Sequence, residues 1–288
     1  MRPARGSTDS DRYGPWAVVT GGAEGLGWAF ARKLAGDGRS LLLVDRKAGP
    51  LREGAVDLAD RTGAEVRPLV ADLATRAGVE ATTRAAEDLG VGLLVCSAGL
   101  APIGPFLDQR AEDLEEALAT NCRAPLLLSH SIGRQMSRRR RGGIVLVSSL
   151  SGLQGTAMVA AYAATKAFDL VLGEGLWEEL RHEGVDVLSV CLGPTRTPGW
   201  ERSRPRLGGL LAPRVMEPEA VVDETLAALG RGPSAVMGGI NRVTAQVTRR
   251  LLPRRLVVAA MGRATRELYP PEREERFSRR SGHERAGG

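Results

Sequence analysis

Seven short apolar runs recur along this chain, each separated from the next by a longer stretch with amphipathic periodicity. They are Trp16 to Thr20, Ser40 to Asp45, Glu65 to Val70, Val91 to Cys96, Gly143 to Ser148, Val185 to Cys191 and, more weakly, Ser234 to Met237. Short apolar runs suit strands covered on both faces, and strands alternating with helices build a parallel sheet. The helical pattern covers Gly25 to Asp37, Pro50 to Thr62, Thr75 to Leu89, Gln109 to Ser137, Val159 to Glu183 and Pro218 to Leu229. Crossovers between parallel strands are nearly always right-handed, so this order winds into a doubly wound α/β sheet of seven mostly parallel strands. Ligands of such a sheet bind beyond the carboxyl ends of its strands.

The segment at the end of the first strand reads Thr20-Gly21-Gly22-Ala23-Glu24-Gly25-Leu26-Gly27 and opens a helix. Glycines there let the turn pass close under a pyrophosphate while the helix N-terminus offers free N–H donors. Asp45 ends the second strand, where a carboxylate can bond the adenosine ribose hydroxyls and repel a 2′-phosphate. Glu24 adds negative charge, whereas the Arg46 guanidinium can cradle that phosphate instead. The balance favours NAD over NADP.

Farther along, Tyr162 and Lys166 lie one helical turn apart, thirteen residues after Ser149. A free phenol titrates near ~10, so it exchanges protons near neutrality only if its ionised form is favoured. An ammonium ~4 Å away at an effective dielectric of ~20 favours the phenolate by about 4 kcal/mol. Tyr162 therefore suits a general acid/base.

These residues closely resemble the "classical" short-chain dehydrogenase/reductase family over residues 15 to about 240. The family's glycine motif matches Gly21, Gly25 and Gly27; its adenine-contacting acid matches Asp72 in Ala71-Asp72-Leu73; its active-site Asn, Ser, Tyr and Lys match Asn121, Ser149, Tyr162 and Lys166. The segment Tyr13 to Thr20 is similar to the branch of hydroxysteroid dehydrogenases and long-chain 3-ketoacyl reductases. The resemblance implies a Rossmann fold and an NAD(P)-dependent oxidoreductase that interconverts a secondary alcohol and a ketone. In that scheme Ser149 bonds the reacting oxygen, Lys166 also grips the nicotinamide ribose, and Asn121 holds a water in a proton relay. Its cofactor path runs through Thr20, Gly21, Glu24, Gly25, Leu26, Gly27, Asp45, Arg46, Asp72, Leu73, Ala98, Gly99, Tyr162, Lys166, Pro194, Thr195 and Thr197. Two departures stand out: Cys96-Ser97-Ala98-Gly99 replaces Asn-Asn-Ala-Gly, so a bracing amide becomes a hydroxyl, and Leu192-Gly193-Pro194 replaces Pro-Gly. The first motivates a second reading, a catalytically silent dinucleotide-binding sensor or scaffold. A third keeps the nicotinamide for a non-redox reaction.

Composition bounds the remainder. Cys96, Cys122 and Cys191 are odd in number and sit in apolar runs, which predicts reduced core residues of a cytoplasmic protein. The three histidines have no ligand-like spacing, so no metal is expected. The pI near 9.8 reflects arginine: only Lys33, Lys47 and Lys166 of the 40 basic residues are lysine, and Arg138 to Arg141 read as a solvated run rather than a nucleic-acid patch. From Arg196 onward 18 Arg face 10 acids.

Three regions follow: a flexible N-terminus over 1–14, a catalytic domain over 15–240, and a basic amphipathic extension over 241–288, disordered from Pro270 onward. Thr195 to Pro213 looks like a mobile loop beside the substrate, and the available apolar side chains favour an apolar substrate over a sugar. The stretch Val243 to Leu268, broken at Pro253, either covers the cleft or a subunit contact, the favoured reading, or lies on an anionic membrane. The resemblance also implies a homodimer or homotetramer through the helices at Gln109 to Ser137 and Val159 to Glu183.

Overall fold

The computed structural model describes residues 12–206 and 214–270. Its strands are β1 (Trp16–Thr20), β2 (Ser40–Asp45), β3 (Val66–Val70), β4 (Val91–Cys96), β5 (Gly142–Ser149), β6 (Val185–Leu192) and β7 (Ser234–Val236). They form one sheet in the order β3-β2-β1-β4-β5-β6-β7, and every neighbouring pair is parallel. The winding reverses between β1 and β4, which opens a crevice at their carboxyl ends.

The helices are α1 (Gly25–Gly36), α2 (Ala48–Thr62), α3 (Arg76–Ala86), α4 (Ala111–Leu118), α5 (Ala124–Arg138), α6 (Ala160–Leu180), α7 (Pro198–Arg202), α8 (Pro218–Ala228), α9 (Gly239–Leu251) and α10 (Arg254–Leu268). The strands alternate their side chains between two cores. Val19, Leu43, Val95 and Val145 meet Phe30 and Leu34 of α1, Leu51 of α2 and Val221 of α8. Val18, Leu42, Leu94 and Ile144 meet Val79 of α3 and Leu128, Ile132 and Met136 of α5. Pro68, which has no N–H for a ladder, stands on the edge strand β3.

The single helix expected over Gln109 to Ser137 is instead interrupted. A 3-10 turn at Phe106–Asp108 precedes α4, and a π-turn at Ala119–Arg123 separates α4 from α5. Pro125 gives the reason: it lacks the N–H that an α pattern would return to the Asn121 carbonyl, and a wider turn avoids the conflict. Pro253 divides α9 from α10, as its position in the sequence requires.

The N-terminal stretch expected to be loose up to residue 14 is seated over 12–14, while 1–11 lie outside the described residues, as do 207–213 of the expected loop and 271–288 of the tail. Tyr13 is buried, and its hydroxyl donates to Asp186 Oδ2 at 2.9 Å. Its ring lies where a Cβ on Gly143 would come within 2.9 Å, and its carbonyl stands 1.5 Å from a Cβ built on Gly92. The two strand glycines therefore accommodate this residue. Removing the ring in Tyr13→Ala is expected to cost about 3 kcal/mol or more, read as a lowered denaturant midpoint; a midpoint equal to the wild type's would refute this seating.

Candidate active site

The glycine turn works through close approach. Gly21 and Gly25 have φ of 69° and 60°, in the left-handed region that favours glycine. A Cβ on Gly27 would stand 2.1 Å from the Gly21 carbonyl oxygen, and one on Gly21 would meet the Ala98 backbone at 3.0 Å. Gly25 faces Thr197 across the crevice, with a Cβ placed 3.2 Å from the Thr197 Cβ. The turn, the β4 loop and the segment after β6 thus converge at the strand ends, leaving a backbone cradle of the kind that fits a pyrophosphate.

Several residues placed on the cofactor path have a structural partner of their own. The Thr20 hydroxyl donates to the Val95 carbonyl at 3.4 Å and accepts from Ser97 and Ala98 N–H, both at 3.1 Å. It ties β1 to the β4 loop in the stretch where Ser97 replaces the family's amide. Asp45 accepts from Ala23 N–H at 3.1 Å and Lys47 N–H at 3.0 Å, so its carboxylate holds the glycine turn at the tip of β2. Asp72 caps its own turn by accepting from Ala74 N–H at 2.9 Å, beside buried Leu73. Thr197 caps α7 by accepting from Trp200 N–H at 3.2 Å. Thr195 is buried and donates to the Gly193 carbonyl at 3.2 Å, while the Pro194 carbonyl accepts from Met216 N–H at 2.9 Å.

Glu24 carries little of the free negative charge expected of it. Arg202 and Lys47 both pair with it, Lys47 Nζ at 2.7 Å, and the hydrogen bond from Arg202 holds its carboxyl below the usual range against the effect of burial. Arg46 pairs with Glu116 of α4. These ion pairs link residues far apart in sequence, so periodicity and spacing gave no signal for them.

The other expected site residues gather around Lys166. Its ammonium is buried, donates to the Val147 carbonyl at 2.7 Å and to Asp169 Oδ2 at 2.9 Å, and lies 5.9 Å from the centre of the Tyr162 ring. Burial works against that charge, but Asp169 and Tyr162 together outweigh it and hold the ammonium above the ordinary lysine range. Asn121, on the π-turn, donates from Nδ2 to the Leu100 carbonyl at 2.7 Å and to Thr165 Oγ1 at 2.9 Å, and accepts Leu100 N–H at 2.8 Å. A Cβ on Gly99 would fall 3.5 Å from Asn121 Oδ1 and 3.7 Å from Lys166 Nζ, so the β4 loop reaches the same point. Ser149 ends β5, donates to the Leu192 carbonyl at 3.4 Å and accepts Ser151 N–H at 3.1 Å. Its neighbour Ser148 donates to the Lys166 carbonyl at 2.6 Å, the structural role its opposite orientation implies.

Sequence reasoning passed over Asp169, Thr165 and Tyr269. Asp169 and Thr165 stand on the helix that carries Tyr162, and the side chains of both are turned inward. Tyr269 follows α10; its hydroxyl lies 3.2 Å from Ser203 Oγ, and Leu268 accepts from Arg206 N–H at 2.9 Å. Burial raises the Tyr269 phenol, and Tyr162 adds to the rise. Cys122, beside Asn121, is pushed up to about 11, first by burial and then by Asp169, and is an inert thiol. Among the described residues no group of three His, Cys, Asp or Glu side chains is placed to hold a metal, and no helix is long and apolar enough to cross a membrane.

A backbone cradle and a Tyr–Lys pair on one doubly wound sheet fit an oxidoreductase of CH–OH and C=O groups that uses NAD(P). The family model described as short chain dehydrogenase matches residues 15–207. The chain belongs to the short-chain dehydrogenase/reductase family, on its hydroxysteroid dehydrogenase-like side. A 7beta-hydroxysteroid dehydrogenase of Clostridium sardiniense is 32% identical over 233 residues, covering 81% of this chain and 88% of that one. A solved structure from work on 7beta-hydroxysteroid dehydrogenase stereoselectivity superposes with a TM-score of 0.82 at 28% identity, covering 88% and 98% of the two chains. A short-chain dehydrogenase from Sphingobium yanoikuyae in complex with NADPH gives a TM-score of 0.73 at 32% identity over 87% of this chain and 95% of that chain.

Replacing Thr20 by Val leaves the Ser97 and Ala98 donors without their acceptor. The expected cost is about 1–3 kcal/mol in a chemical denaturation curve, together with weaker dinucleotide binding; an unchanged curve would show that these bonds contribute nothing.

Proposed function

We propose that this protein oxidises a secondary alcohol, or reduces the matching ketone, on an apolar small molecule, with Tyr162 as general acid/base and NAD as the preferred cofactor. The observation that carries the reading is the buried Lys166 ammonium, 5.9 Å from the Tyr162 ring, beside the Gly99 end of the cradle. The ammonium, already paired with Asp169, is the cation that stands nearest to act on that phenol. The nicotinamide supplies the hydride chemistry. In oxidation Tyr162 takes the hydroxyl proton and Ser149 bonds the same oxygen; in reduction Tyr162 returns the proton. Lys166 would hold the ribose and face the phenol, and Asn121 fixes the loop at Leu100 and so the geometry of the proton path.

Asp45, at the tip of β2, supports NAD. Trp200, Tyr269 and the approach of α10 to Ala157, 3.4 Å from a Cβ on Gly262, support an apolar substrate under a protein cover and favour the cleft-covering role of α10 over a membrane-lying one. Leu118, Leu126 and Val171 are exposed on α4, α5 and α6 and support self-association through those helices.

Tyr162→Phe is expected to abolish turnover over an alcohol and ketone panel while fluorescence titration shows dinucleotide binding retained; undiminished turnover would overturn the assignment. The same titration is expected to rank NADH above NADPH, and the reverse order would reassign the cofactor. Light scattering is expected to report a dimer or tetramer that Val171→Glu disrupts; a wild type that is monomeric at micromolar concentration would remove the proposed interface.

A further inference from the structure

We infer that Asp169 is a positioning residue that fixes the charge and orientation of Lys166 and thereby the pH range in which Tyr162 works; the inference rests on the role just proposed for Tyr162. An ammonium has three N–H donors. One goes to the Val147 carbonyl and one to Asp169 Oδ2, which leaves a single donor for the side on which Tyr162 lies. Lys166 therefore cannot rotate among several acceptors.

Asp169 is held firmly where it stands. Its side chain is 4% exposed, and its own carbonyl accepts from Ser189 Oγ of β6 at 2.8 Å. A Cβ on Gly173 would lie 1.9 Å from that Ser189 oxygen, so α6 packs tightly against the sheet here. The second carboxylate oxygen, Oδ1, is buried with no hydrogen-bond partner. A buried acid satisfied on one side only is costly, and packing alone would be served better by an apolar residue. What it provides is a counter-charge to Lys166. The other titratable groups acting on the pair are Tyr162 on α6, Cys96 on β4 and Cys122 on the π-turn; burial raises both thiols, so they stay neutral.

The signs follow. A carboxylate beside the ammonium weakens the field that favours the Tyr162 phenolate, so the phenol gives up its proton at higher pH than it would beside an uncompensated lysine. The same carboxylate keeps Lys166 protonated against burial. Neutralising Asp169 should therefore move both events to lower pH as long as the ammonium outlasts the phenol's proton: the phenolate appears earlier and the ammonium is lost earlier.

The test compares wild type, Asp169→Asn and Asp169→Glu as full-length protein. Phenolate absorbance is titrated without ligand, each protein against its Tyr162→Phe counterpart, and the pH profile of kcat is measured with saturating dinucleotide on a cyclic secondary alcohol that the wild type oxidises. In Asp169→Asn the Tyr162 phenolate step and both limbs of the profile are expected at lower pH, and in Asp169→Glu near their wild-type positions. A profile that loses height with its limbs and the phenolate step unmoved would overturn the inference and leave Asp169 a packing residue. If Asp169→Asn does not fold, Asp169→Ser replaces it under the same criteria. Turnover retained by Tyr162→Phe would instead remove the role of Tyr162, a distinct outcome.

Discussion

A lysine ammonium placed inside a protein has to be met by oxygen, and much of the local architecture here follows from that requirement. Lys166 is met by the Val147 carbonyl of β5 and by Asp169 one turn along its own helix. To bring those groups to one point, α6 has to lie close over the ends of β5 and β6, and small residues allow it: a Cβ on Gly152 would stand 2.7 Å from the Lys166 carbonyl carbon. Ser148 completes the attachment by bonding the Lys166 carbonyl. The chemistry of the site and the docking of the helix are thus one arrangement.

The cradle on the other side of the crevice is built differently, from backbone and without buried charge. Glycines bring three loops into contact, and the polar side chains nearby serve chiefly to hold those loops: Thr20 fastens the β4 loop, Asp45 fastens the turn, and Thr197 caps α7 opposite Gly25. Ion pairs of Glu24 with Lys47 and Arg202 close the outer edge. Loop positions fixed in this way need little reorganisation when an anion arrives, which is what a dinucleotide site requires.

The strands were legible from the sequence because their signal is local: apolar runs bounded by turn residues place β1, β2 and β4 at their observed limits. The glycine turn and the placing of Tyr162 one turn before Lys166 on a helix were legible because both are local patterns as well. The π-turn was not, since in the sequence only Pro125 hints at it. Asp169 was not, because an acid on a helix reads as solvated until the packing of α6 shows it turned inward. Tyr13 and Tyr269, near opposite ends of the described chain, find their partners in Asp186 and Ser203 across long sequence separations.

Sequence alone therefore determined the succession of strands and helices, the glycine turn and the Tyr-to-Lys interval, since each depends on residues within a few turns of one another. Tertiary structure decided which charges are paired, which hydroxyls bind backbone, and which acid stands beside Lys166. Those outcomes depend on burial and on distances between segments far apart in the chain, and electrostatic energies change severalfold with both.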